Sequence, residues 1–179
     1  MLKYFIKLTV LISVISCGTD FSRHTEKIPQ QDISMKISII QDTMYIKKWL
    51  IKVITDYVNS DDLKVTNENL RSALTDDYYN YKLEAITLEY SEMTEKEFQE
   101  KWKAKYDTKY VGSGGFFTSI MDNGDVEISD CKQLESLGDT AQIFHTVVHD
   151  LRWKTDYKLD IKVILKDNKL LIDDIKEYK

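Results

Sequence analysis

The sequence predicts an α+β fold from two observations: apolar residues recur with helical spacing between about positions 42 and 106, and from about position 116 the period changes to two. Helices followed by a strand meander place the helices on one face of an antiparallel sheet of four to five strands. One helix begins at Asp42, where Ile46, Leu50, Val53 and Tyr57 fall at i, i+4, i+7 and i+11 while Lys47, Lys48, Lys52 and Asp56 lie off that face. It ends near Asn59-Ser60. A second helical region follows Thr66-Asn67, with Leu70, Leu74, Tyr78 and Tyr81 on one side, and its pattern extends toward Glu89. A third starts at Thr94-Glu95-Lys96-Glu97, a capping-box pattern, and carries Phe98, Trp102 and Tyr106 at every fourth position.

Gly112-Ser113-Gly114-Gly115 then reads as a hinge into the sheet. A short strand is expected over 116–121, a turn at Asp122-Asn123-Gly124, and strands at about 126–134, 140–149, 157–166 and 169–177. The run from Tyr157 alternates cleanly: Leu159, Ile161, Val163 and Leu165 share its face, and Lys158, Asp160 and Lys162 oppose them. Asp167-Asn168 is a two-residue hairpin loop of the kind that tolerates positive φ.

Ahead of this domain stands a leader. Lys3 and Lys7 are its only charges, and Leu8 to Ile15 is an apolar run too short for the ~20 residues that a membrane span needs. Val14-Ile15-Ser16-Cys17 resembles the lipobox of bacterial lipoproteins. That resemblance implies cleavage between Ser16 and Cys17, a diacylglycerol thioether on Cys17, and anchoring to a membrane through lipid. Several acyl chains on one residue exceed what stable anchoring requires, at about 0.8 kcal/mol per buried methylene. The expected organisation is a signal peptide at 1–16, a lipidated cysteine and polar tether at 17–41 that holds the single proline, Pro29, and one domain at 42–179. Gly18 is not the Asp used by some bacteria for inner-membrane retention, which favours the outer membrane.

Cleavage would remove two of the 25 basic residues and none of the 30 acidic ones, so the mature chain carries 23 against 30 and a net charge of −7. Basic residues are interspersed with acids rather than clustered, which argues against nucleic acid as a partner. Only two cysteines exist, and lipidation of Cys17 leaves Cys131 alone, without an internal disulfide; it is expected as a buried, inert thiol.

The order of elements over 42–179 resembles the nuclear transport factor 2-like (cystatin-like) superfamily and its uncharacterised envelope lipoproteins. Gly112 to Phe117 and the ending Asp167-Asn168-Lys169-Leu170-Leu171-Ile172-Asp173-Asp174-Ile175 carry the likeness, with Leu170 where that pattern usually has Trp. The resemblance implies a bent, cone-like sheet with a pocket between sheet and helices. It brings no catalytic motif that matches residue by residue.

Candidate residues are few. His145 and His149 share a strand face about 13 Å apart, too far for one metal ion; they read first as two unrelated exposed or edge histidines, with a single imidazole and Asp150 as an acid/base pair the alternative. Tyr78, Trp102 and Tyr106 are the aromatic candidates for a pocket lining, against the alternative that aromatics at helical spacing are simply core. Asp61-Asp62, Asp76-Asp77 and Asp173-Asp174 read as loop and rim charges, without the alternation of a calcium loop. No cofactor and no metal site are expected. The sequence therefore points to a membrane-tethered envelope protein that binds or interacts without catalysis, its partner a protein or a small apolar ligand. Two alternatives stand beside it: an immunity-type lipoprotein neutralising a secreted toxin, and a small pocket enzyme such as an isomerase or hydrolase.

Overall fold

A computed structural model describes residues 42–60, 62–112, 114–117 and 125–178. The leader, the Ser16/Cys17 cleavage site and the tether to 41 lie outside the described residues, as does the expected turn at 122–124. Helix α1 (Thr43–Val58) starts where the Asp42 carboxylate accepts a hydrogen bond from the Tyr45 amide at 3.0 Å, satisfying an amide that has no partner within the helix. Ile46, Leu50 and Ile54 form its buried stripe, and Val53 and Tyr57 pack half-buried at the margin.

The second helical region is two helices, α2 (Leu63–Ala73) and α3 (Asp76–Thr87), rather than a continuous one. Leu74 leaves the helical path to bridge Ile172, and the Thr75 amide donates to the Ile172 carbonyl at 2.9 Å. The Thr75 hydroxyl then accepts from the Tyr78 amide at 3.2 Å, and Asp76 and Asp77 occupy the first turn of α3, where the helix dipole favours negative charge. Leu70, Leu74, Tyr78 and Tyr81 are all buried on either side of this break, so the apolar period runs through it unmarked. Helix α4 (Glu95–Trp102) opens with the expected capping box: the Glu97 amide donates to the Thr94 hydroxyl at 3.3 Å, and the Thr94 amide to the Glu97 carboxylate at 2.8 Å.

Strands β1 (Val126–Ser136), β2 (Ala141–Asp150), β3 (Thr155–Lys166) and β4 (Lys169–Tyr178) form one antiparallel meander in the order β1-β2-β3-β4. The expected strand over 116–121 is not seen where it can be judged: Phe116 and Phe117 sit in a bend, and 118–121 lie outside the described residues. Asp167 and Asn168 join β3 to β4 with φ of 50° and 62°, the positive values of a tight hairpin whose twist matches its strands. The pairing slips twice along β1, between Ile128 and Asp130 and between Gln133 and Glu135, and once against β4, where Lys162 opposes Asp174 but Val163 opposes Ile172. Such bulges bend and twist the strands that carry them. The core lies between the helices and one sheet face, with Phe144, Val148, Leu159, Ile161, Val163, Ile172 and Ile175 from the sheet meeting the stripes of α1 to α4. Among the described residues no helix is long and apolar enough to cross a membrane.

Candidate functional site

Aromatic side chains fill the space where a pocket between helices and sheet was expected. Tyr81 stacks on Tyr106 at a centroid distance of 4.3 Å and on Phe98 at 5.6 Å, and meets Trp102 edge-on at 5.5 Å; Tyr78 joins at 6.2 Å from both Tyr81 and Tyr106. Tyr78 and Tyr106 are core residues at 0% and 5% exposure. Trp102 is half-buried and its indole N–H donates to Glu84 at 2.8 Å, with Lys101 donating to the same carboxylate at 2.6 Å, which clamps α4 onto α3. These three residues are brought together as the wall between α3 and α4, and their faces are spent on one another.

Beside this wall lie charges that the sequence did not reveal as buried. Lys82 is 3% exposed, and its ammonium donates to the Gly112 carbonyl at 2.5 Å. Burial pulls its pKa down to about 8, against an opposing pull from the Glu177 carboxylate. On β4, burial raises the Asp174 carboxyl to about 6, with Lys176 acting the other way, and its neighbour Asp173 accepts from Lys162 at 2.8 Å. Burial, reinforced by the Asp174 charge, keeps the phenols of Tyr78 and Tyr81 protonated. Asp173-Asp174 is thus a bulge in the sheet, not a loop rim.

The two histidines do share a face, and it is the face turned away from the core. Along β2 the residues Phe144, Thr146, Val148 and Asp150 are buried, while Ile143, His145, Val147 and His149 alternate with them and stay partly exposed. His145 Nδ1 is 2.8 Å from Asp160, whose other oxygen accepts from the Tyr178 hydroxyl at 2.6 Å; His149 Nδ1 is 2.7 Å from Asp156. The Asp160 hydrogen bond raises the Tyr178 phenol to about 12, with burial second. Neither histidine pairs with Asp150. That carboxylate points into the opposite face, where it accepts from the Arg152 and Trp153 amides at 2.7 Å each and fastens the turn from β2 to β3. The histidines therefore lie away from Tyr78, Trp102 and Tyr106, and no site joins them. Cys131 is buried, receives the Thr146 hydroxyl at 3.7 Å, and burial pushes its thiol up, the pattern of an inert core thiol. Among the described residues no cluster of three or more His, Cys, Asp or Glu is placed to hold a metal ion.

A concave surface exists elsewhere, between α1, α2 and the β3–β4 hairpin. Two cavities of about 490 and 390 Å³ both have Val53, Asp56 and Asn69 in their walls and so adjoin along this groove. Tyr45 and Trp49 line one stretch from α1, Ser72 stands on the α2 side, and Asn168 closes the end at the hairpin tip. At the other end lie Tyr57, Asn59 and Ser60. Lys52 and Asp56 are ion-paired across one helical turn at 2.5 Å. The only sign of this groove in the sequence is that Tyr45 and Trp49 sit four apart beside the apolar stripe of α1; its other walls come from α2, about twenty positions on, and from the β3–β4 hairpin, more than a hundred positions on.

Scans of protein-family models, curated proteins and solved structures returned no match to this chain.

Proposed function

We propose that this chain is a lipid-anchored protein of the bacterial cell envelope, held through Cys17, that acts as a non-enzymatic binding module and takes its ligand at the α1–α2 groove. The observation that carries the binding reading is the packing of Tyr78, Tyr81 and Tyr106 into the interior, which leaves the concave, mixed aromatic and polar surface on the outside of the helices. A catalytic reading would need an acid/base group beside a reacting pocket. His145 and His149 instead hold carboxylates on the far side of the sheet.

The same reading takes the fold as nuclear transport factor 2-like, supported by helices that precede a four-stranded meander and by bulges that bend β1 and β4. In that scheme the cone is packed shut rather than open. Anchoring is supported by the spacing Val14-Ile15-Ser16-Cys17 behind a short apolar run; the outer membrane is the favoured site.

Growth with an alkyne-bearing palmitate tests the anchor. The full chain should take up label and sediment with membranes, and Cys17→Ala should abolish both; label retained by Cys17→Ala would overturn the anchor. Turnover of an envelope substrate by the purified full chain, lost in the His145→Ala/His149→Ala double variant, would overturn the non-enzymatic reading.

A further inference from the structure

The geometry points to an oligosaccharide as the ligand of the α1–α2 groove, a pyranose chain laid along Tyr45 and Trp49; this rests on the binding reading above and names its ligand class. The two aromatic residues are one helical turn apart, about 6 Å along the axis, a spacing comparable to one sugar unit. Trp49 is half-buried and so held in place, while Tyr45 is 51% exposed with its ring available. The electron-rich face of such a ring attracts the weakly positive C–H groups that a pyranose presents on its flat side.

Pyranose hydroxyls both donate and accept, and they need partners that do the same. Side-chain amides supply both from one planar group. Asn69 on α2 and Asn168 on the hairpin stand in the groove walls, and neither side-chain amide is hydrogen-bonded among the described residues. Asn168 is fixed by the two-residue turn in which it adopts φ 62°, so its amide is presented from a rigid support.

Charge and shape narrow the class. Lys52 and Asp56 neutralise each other, which leaves Lys169 as the single unbalanced charge among the lining residues named for this stretch. One lysine is too little for a polyphosphate or nucleic acid. It suits a sugar that is neutral or bears one carboxylate. Two adjoining concavities along one helix suit a chain rather than a small apolar molecule.

The test is a calorimetric titration of the full lipidated chain in detergent, with three probes: a neutral β-1,4-linked N-acetylglucosamine hexamer, a galacturonic acid hexamer, and an equimolar pool of random hexapeptides. Binding of either sugar is expected, weakened at least tenfold by Trp49→Ala and severalfold by Asn69→Ala or Asn168→Ala. Trp153→Ala, which removes an exposed tryptophan on the β2–β3 turn, is expected to leave it unchanged. A preference for the acidic hexamer that Lys169→Gln removes would assign the carboxylate-bearing class; equal binding would assign neutral glycans. Sugar binding that survives Trp49→Ala in a chain with unaltered thermal unfolding would overturn the proposal, as would binding of the peptide pool alone or of no probe. The last outcome leaves the anchor and non-enzymatic readings to their own tests, which do not involve sugar.

Discussion

The two faces of β2 are made from one strand and do opposite jobs. Phe144, Thr146 and Val148 are fully buried, whereas His145, Val147 and His149, one residue away in each case, remain partly exposed among Lys158, Asp160 and Lys162 of β3. Backbone geometry is the same on both sides. What differs is the cover, since α1 to α4 exclude water from one side only. The inner face therefore stores stability in apolar contact, while the charged pairs of the outer face trade hydrogen bonds with water and gain little.

Truncating Phe144 to Ala should give the largest effect, a loss of about 3–5 kcal/mol in urea unfolding, because it removes a fully buried ring and leaves a cavity. A loss no larger than that of an outer-face variant would break the contrast.

Asp174 tests the boundary between the faces. Its folded-state carboxyl sits at about 6 because of burial, above the 3.8 of an unperturbed group. Below the unfolded value both states are protonated and the group has no cost. As pH rises from 4 through 6 the unfolded chain ionises first, so the contribution of this group to stability falls. Asp174→Asn should raise stability at pH 7 by on the order of 1–3 kcal/mol and flatten the profile between pH 4 and 6. Chemical denaturation at stepped pH checks it; a variant less stable than the parent at pH 7 would mean that the carboxylate is compensated.

The smallest effect belongs to the outer face. The His145–Asp160 contact at 2.8 Å is partly exposed, and a double-mutant cycle with His145→Ala and Asp160→Ala should return about 0.2–1 kcal/mol of coupling. A coupling above 2 kcal/mol would show that this face is organised for more than solvation.

Much of the fold was legible because it depends on near neighbours in the chain. The alternation from Tyr157, the Thr94 capping box and the Asp167-Asn168 turn all appear where local patterning places them. The helix break at Leu74-Thr75 was not legible, since its cause is Ile172, nearly a hundred residues on. Thr75-Asp76-Asp77 did carry a cap signal, but the unbroken apolar period masked it. The three pairing slips have no compositional mark. As for sites, the shared face of His145 and His149 followed from strand geometry, but which carboxylates they meet is set by the register of β2 on β3, which brings Asp160 and Asp156 rather than Asp150 into reach.

By itself, then, the sequence determined the α+β class, the placing of helices before a strand meander, and most inward residues of the helices and of β3, because these follow from periodicity and local hydrogen bonding. Only the tertiary structure decided that Tyr78 and Tyr106 are core, that Lys82 is a buried charge and Asp174 a half-buried one, and that a groove lies between α1, α2 and the hairpin. Burial and concavity are properties of surfaces brought together from distant positions, and no local pattern encodes what the other wall will be.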